Sequence, residues 1–318
     1  MGARWWFVLG GLWLLAPAGA HAAAQAGEPV AVLTEIRVGQ GEVRVKPAAE
    51  AEWKVSLPLL SLRSGDQVRA TRNATAVLMF TGGQGTLTVS AGNSPYTVQA
   101  PPAGATRGKT PELVANLSRI LMGKRKELTY VPLAVRSVKQ PPLLLSPRDG
   151  KLLGPPVLEW AGSDRSRYTV RLFGPQGLVW EQANLPRAPL PYPTSAPQLR
   201  PGMLYRWELE TRDFPAQQGQ FTILPPVEIA PIRQTLTALD PAGLPGYPKN
   251  TVTLMRAGFL FEQELYTEAR NELQAAIAAD PDEPSLHLML GHVYERTGLT
   301  GLAAEEFDEA QFLVSRTP

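Results

Sequence analysis

The chain has 318 residues, 44% of them hydrophobic, and no cysteine; disulfides, thiolate zinc sites, thiol nucleophiles and a lipid-modified N-terminal cysteine are therefore excluded. The formal net charge of +2 conceals a gradient: residues 28–140 hold 15 Lys/Arg against 8 Asp/Glu, residues 141–249 hold 11 against 9, and residues 250–318 hold 4 against 12. Opposite signs at the two ends are consistent with mutual docking, within one molecule or between two, or with two solvated faces that never meet.

Residues 1–24 read as an export signal. Arg4 supplies a positive start, Trp5 to Ala16 is apolar, and Ala18, Ala20, Ala22 and Ala24 give the alternating small residues of a signal-peptidase site. The apolar run falls short of the roughly 20 residues that span a bilayer; an uncleaved anchor is the alternative. No later stretch approaches spanning length, so the mature chain is expected to be periplasmic or secreted, with no membrane span after cleavage. Without disulfides it depends on apolar cores, and its length allows two or three of them. Its 31 prolines and 28 glycines predict many turns and extended segments.

Residues 29–98 show short alternating runs broken by turn residues. Ala31-Val32-Leu33, Gly41 to Val45, Val68-Arg69-Ala70, Ala76 to Phe80 and Thr86 to Val89 read as strands, with turns at Ser64-Gly65-Asp66 and Gly82-Gly83-Gln84-Gly85. The order Gly41-x-Val43, Trp53, Leu62-x-x-Gly65-Asp66-x-Val68, Ala76-x-Leu78-x-Phe80 and Thr86-Leu87-x-Val89 resembles the FecR periplasmic domain. That resemblance implies an all-β fold in which the Gly-Asp pair opens a turn and the alternation after it forms core strands. The family's usual Asp-Gly-Ser turn is Gly82-Gly83-Gln84 here, so no role for that Asp carries over. FecR regulators also place a cytoplasmic region and a membrane span before this domain; only an export signal precedes it here, so signalling across a membrane by this chain alone is not expected.

Residues 99–140 form a Pro/Gly-rich connector with a predicted helix at about 111–126. Thr110 is its cap, Pro111 its first position, Leu113, Leu117, Ile120 and Leu121 its apolar face, and Lys124-Arg125-Lys126 its basic last turn. That triplet suits helix termination better than an anion site, and no nucleic-acid partner is implied.

Residues 141–223 carry a second β pattern: Leu143 to Leu145, Val157 to Trp160, Tyr168 to Leu172, Leu178 to Trp180 and Tyr205 to Leu209. Gly or Pro punctuates it about every ten residues, as in a β-sandwich. Leu199-Arg200-Pro201-Gly202-Met203-Leu204-Tyr205 resembles the tyrosine corner of fibronectin type III and related Ig-like domains, which implies a hydroxyl bonded back to the corner's backbone. Trp160 and Trp207 are expected in the core; the alternative is a sugar-stacking platform with Trp180. Residues 224–249 are proline-rich and read as a linker with one short helix near 232–239.

The last 69 residues repeat. A shift of 34 pairs Ala303 with Ala269, Phe307 with Leu273, Ala310 with Ala276, Tyr294 with Leu260 and Gly291 with Ala257. Two antiparallel helices in close contact need small residues where backbones meet and large ones between them. Leu290, Gly291, Tyr294, Gly298, Ala303, Phe307 and Ala310 have that order. The segment resembles tetratricopeptide (TPR) repeats at 250–283 and 284–317, the first with Glu264 at the usual turn glycine. Such repeats bury a core only by stacking, so two of them are expected to lean on the linker helix, the sandwich or another chain.

The mature chain has two histidines, His287 and His292, set off the i, i+4 spacing that chelates a metal on a helix. No H-E-x-x-H, G-x-S-x-G or P-loop motif occurs, and Glu305-Glu306 reads as a solvated helix face. The expected molecule is a multi-domain β-plus-α protein: a FecR-like all-β domain, an Ig/fibronectin-like sandwich and TPR hairpins. It is expected to be a non-enzyme without cofactor or metal, an exported scaffold or adaptor with protein partners or self-association of its basic and acidic ends. Arg256, Leu260, His287 and Tyr294 are the candidate partner groove, though Leu260 and Tyr294 equally suit packing. The rival is a cell-wall or polysaccharide-binding protein.

Overall fold

A computed structural model describes residues 28–81, 84–99, 141–240 and 244–316. The expected signal peptide, the Gly82-Gly83 turn and the connector helix with its Lys124-Arg125-Lys126 triplet lie outside them.

The first domain is a pair of four-stranded antiparallel sheets. One has the order β4 (Ser61–Leu62), β1 (Ala31–Arg37), β6 (Thr75–Phe80), β7 (Thr86–Val89). The other runs β3 (Lys54–Val55), β2 (Val43–Lys46), β5 (Gln67–Ala70), β8 (Tyr96–Thr97). Leu33, Val43, Val45, Val68, Ala76 and Leu78 fill the space between them. The three two-residue strands escape a periodicity reading, because two residues carry no period. At the expected turn Gly65 has φ +91°. Asp66 fixes it, accepting from Arg63 N at 2.8 Å within the turn and from Ala48 N at 2.9 Å on a neighbouring loop.

The second domain is a sandwich. A five-stranded sheet of β10 (Lys151–Leu152), β16 (Phe214–Ile223), β15 (Leu204–Thr211), β12 (Tyr168–Gly174) and β13 (Gly177–Leu185) faces a three-stranded one of β14 (Leu190–Pro191), β11 (Val157–Ala161) and β9 (Leu143–Ser146). Trp160, Tyr168, Trp207 and Phe221 are buried between them. Tyr205 Oη accepts from Arg200 N at 2.7 Å, the bond expected of the corner, and Trp207 Nε1 donates to Pro147 O at 2.6 Å.

Five helices follow: α1 (Pro226–Ala238), α2 (Lys249–Glu262), α3 (Tyr266–Ala279), α4 (Pro284–Arg296) and α5 (Thr300–Ser315). The linker helix is longer than expected and begins earlier. Pro226 sits at its first turn, where a missing N–H costs nothing, and Glu228 meets the positive end of its dipole.

The helices do not stand alone. One contiguous apolar core joins Leu254, Leu260, Leu273, Met289 and Tyr294 of the hairpins to Ile232 and Leu239 around α1 and to Val32, Leu59 and Met79 of the first domain. Val314 near the end of α5 is buried in the first domain's own core. The stacking deficit is thus met inside the chain. This explains β1, whose first six residues are all buried: one face fills the first domain's own core, the other meets helices.

Candidate protein-binding surface

The two hairpins are built alike. Ala269, Leu273 and Ala303 are fully buried, and Ala276, Leu290 and Ala310 nearly so. A Cβ on Gly291 would stand 2.4 Å from the Phe307 ring, so glycine there lets α4 and α5 approach. Both turns close with the same bond, Leu265 N to Leu260 O at 2.9 Å and Leu299 N to Tyr294 O at 2.8 Å. Both need a left-handed residue just before it: Gly298 has φ +75°, and Glu264 adopts φ +60°, which glycine tolerates and other residues pay for.

The first helix of each hairpin lies against β1. In a stack of helix pairs these first helices line one common side, and here the chain's own N-terminal sheet covers it. A polar cluster stitches the seam. Thr34 and Thr251 hydroxyls meet at 3.0 Å. Glu35 Oε1 accepts from Thr251 N at 2.8 Å and its Oγ1 at 2.6 Å. Glu283 caps α4, accepting from Ser285 Oγ at 2.7 Å, and reaches Ile36 N at 3.4 Å. Arg37 pairs with Asp280 through both terminal nitrogens, and its Nε stands 3.2 Å from Glu283 Oε2. Asn250 Nδ2 donates to Asp280 Oδ2 at 2.6 Å.

The cluster perturbs its members in opposite directions. Burial pushes the Glu283 carboxyl up to about 7, with Ser285 and Arg37 only partly offsetting it. The Arg37 guanidinium holds Asp280 below the usual carboxylate range despite some burial. Arg37 thus serves Asp280 first, leaving Glu283 as the costly member. Glu35 and Glu283 are close enough for the charge of Glu35 to raise Glu283 further, which is a pairing that acid–base chemistry could use. The Glu283 side chain is, however, 0% exposed, so no substrate reaches it in this conformation, and the pair acts as part of a seam.

The expected groove residues are individually engaged and do not share one free face. Arg256 pairs with Glu272 at 2.9 and 2.6 Å and donates to Leu236 O at 2.7 Å, tying α2 to α3 and α1. Leu260 is 1% exposed. His287 Nδ1 meets Glu306 at 2.7 Å and Nε2 meets Pro281 O at 2.9 Å. Burial opposes its protonation, but these acceptors outweigh burial and its pKa is raised. Tyr294 is buried and bonds Gln274 at 3.1 Å. The residues facing β1 are instead ones such as Thr251, Asp280 and Glu283. The charge gradient was their only sequence signal, and it named no residue. Glu306 engages His287, whereas Glu305 is the exposed acid expected of a helix face.

The aromatic platform dissolves in the fold. Trp160 and Trp207 are buried, and half-buried Trp180 packs edge-on against Tyr192. Outward-facing apolar residues are scattered instead: Val55, Leu178, Leu204, Val227 and Phe312.

A TPR repeat family model matches residues 260–298, from the end of α2 through α3 and α4. No curated protein matches the chain significantly. The matched segment takes in most of the first hairpin and the first helix of the second, and a TPR match suggests protein–protein interaction. No helix among the described residues is long and apolar enough to cross a membrane.

Proposed function

We propose that the protein is an exported, non-enzymatic adaptor of the periplasm or cell envelope that holds protein partners through its helical repeats and β domains. The observation that carries this reading is the pair of TPR-type hairpins, of which residues 260–298 match the family model. Helix-pair repeats present extended surfaces suited to other chains. The first domain reads as FecR-like, supported by the Gly65-Asp66 turn, where Asp66 accepts from Arg63 N within the turn and from Ala48 N beyond it. The second reads as Ig/fibronectin-like, supported by the Tyr205 to Arg200 corner bond. Because β1 covers the first-helix side of the repeats, a partner engages either the remaining outer surface of α3 and α5 or the first-helix side after the N-terminal domain swings away.

Crosslinking in intact cells followed by mass spectrometry tests the adaptor reading: crosslinks from α3, α5 or the sandwich to a defined protein are expected. Recovery on purified peptidoglycan with no protein crosslinks would favour the cell-wall rival instead. Fractionation of cells producing a version lacking residues 1–24 tests export, with retention in the cytoplasm expected.

A further inference from the structure

A cavity of about 400 Å³ lies between the sandwich and the α4–α5 turn, and three guanidinium groups line it: Arg148, Arg206 and Arg296. A tight carboxylate partner holds none of the three. Arg148 Nε donates to Thr297 O at 2.8 Å and its Nη1 to Leu144 O at 3.0 Å. Those carbonyls fix its direction without cancelling its charge. Arg206 stacks over the Phe173 ring at 5.0 Å and stands 3.6 Å from Glu208. Arg296 stacks over Tyr266 at 5.2 Å and stands 4.0 Å from Asp149. Ring stacking presets the plane of a guanidinium while leaving its N–H fork to bind oxygen in pairs.

The neighbouring acids are partly occupied elsewhere. Glu208 accepts from Gln218 at 2.9 Å, and Asp149 accepts from Gly150 N at 2.9 Å and Gln220 at 3.4 Å. Three cations against two loosely placed carboxylates leave one positive charge in excess. Burial lowers the Arg148 pKa with nothing charged to oppose it, as expected of a cation awaiting a counter-charge. Gly298, at the rim, adds no side chain: a Cβ there would stand 3.7 Å from Arg148 Nη2.

We propose that this cavity binds an oxyanion, the phosphate or carboxylate group of a small ligand, between Arg148, Arg206 and Arg296. The volume suits a compact ligand, and guanidinium forks match both groups bidentately. A ligand seated there bridges the sandwich to the last hairpin and tightens that junction. This site is independent of the adaptor reading.

The test is calorimetric titration of the mature chain with inorganic phosphate, pyrophosphate and citrate at constant ionic strength set by chloride. Saturable binding of at least one probe is expected, and comparing the phosphates with citrate assigns the source of the oxyanion. The double variant R206Q/R296Q is expected to weaken binding about a hundredfold, and each single variant about tenfold, since each lost charge-assisted bond is worth roughly a factor of ten. The exposed pair R165Q/R167Q is expected to bind as the parent does. The single variants R206Q and R296Q keep the test valid if the double variant misfolds. Absence of saturable binding by the parent, undiminished binding in the cavity variants, or an equal loss in R165Q/R167Q overturns the proposal.

Discussion

Glu283 is where sequence chemistry and burial conflict most. As the N-cap of α4 it satisfies Ser285 N and Oγ, and a carboxylate suits the positive helix end; fully buried, it resists ionisation. Its folded pKa of about 7 lies above its ordinary 4.5, so the folded state holds the proton more tightly than the unfolded one. Stability from this group is full below pH 4.5 and falls as pH rises through about 7, with a loss of roughly 3 kcal/mol once Glu283 is ionised in both states. His287, also raised, acts in the same direction: its contribution is full below 6.5 and is lost as pH rises through its higher folded value. Asp280, lowered by Arg37, has its window on the acid side and stabilises at neutral pH. Glu283→Gln keeps the accepting oxygen and is expected to raise the melting temperature at pH 8 and flatten the profile between pH 5 and 8. Thermal melts across that range check it; a variant with the parent's slope would remove Glu283 as the cause. Gly291→Ala is expected to cost about 1–3 kcal/mol by overpacking against Phe307, read by chemical denaturation.

At the scale of the elements, the two hairpin turns make a natural comparison. Gly298 and Glu264 hold the same left-handed position, which costs a residue with a Cβ about 1–2 kcal/mol. The Glu264 side chain returns little, because its pair with Lys151 is exposed on both sides and such pairs are worth under about 1 kcal/mol. Glu264→Gly is therefore expected to stabilise the chain by about 0.5–1 kcal/mol and Gly298→Ala to destabilise it by about 1–2 kcal/mol. Denaturant midpoints of the two variants should move in opposite directions. The hairpins also depend on what covers them. A fragment of residues 250–316 loses Val32, Leu59, Met79, Ile232 and Leu239 from its core and is expected to show weak, non-cooperative helicity by circular dichroism. A sharp high-temperature melt would mean the two hairpins suffice.

For the whole molecule, the decisive feature is the seam between β1 and the first helices of the hairpins. The basic and acidic ends of the chain meet there, through Arg37, Asp280 and Glu283. Arg37→Glu sets a fourth acid against Asp280, Glu283 and Glu35. The cost is expected to stay below the roughly 3–5 kcal/mol of breaking a fully buried pair, because the Arg37 side chain is 38% exposed. Small-angle scattering and limited proteolysis should then report a more extended chain whose α2 and α4 are cut faster. Parent-like dimensions would mean that the apolar contact around Val32 and Met79 alone closes the seam.

The sequence by itself determined the parts whose geometry is local. Close approach of two helices demands small residues at set intervals, so Gly291, Ala269, Ala303 and Ala310 were legible, as were the turn at Gly65 and the corner at Tyr205. It could not reveal that Pro231 sits inside a helix running from Pro226 to Ala238, since an interior proline reads as a break, nor that Arg256, His287 and Tyr294 are tied to α1, α3 and α5. Only the tertiary structure decided what the hairpins lean on. A docking face draws its residues from distant strands and helix ends, Thr34 with Thr251 and Arg37 with Asp280, and no periodicity along the chain records complementarity between surfaces that meet only after each part has folded.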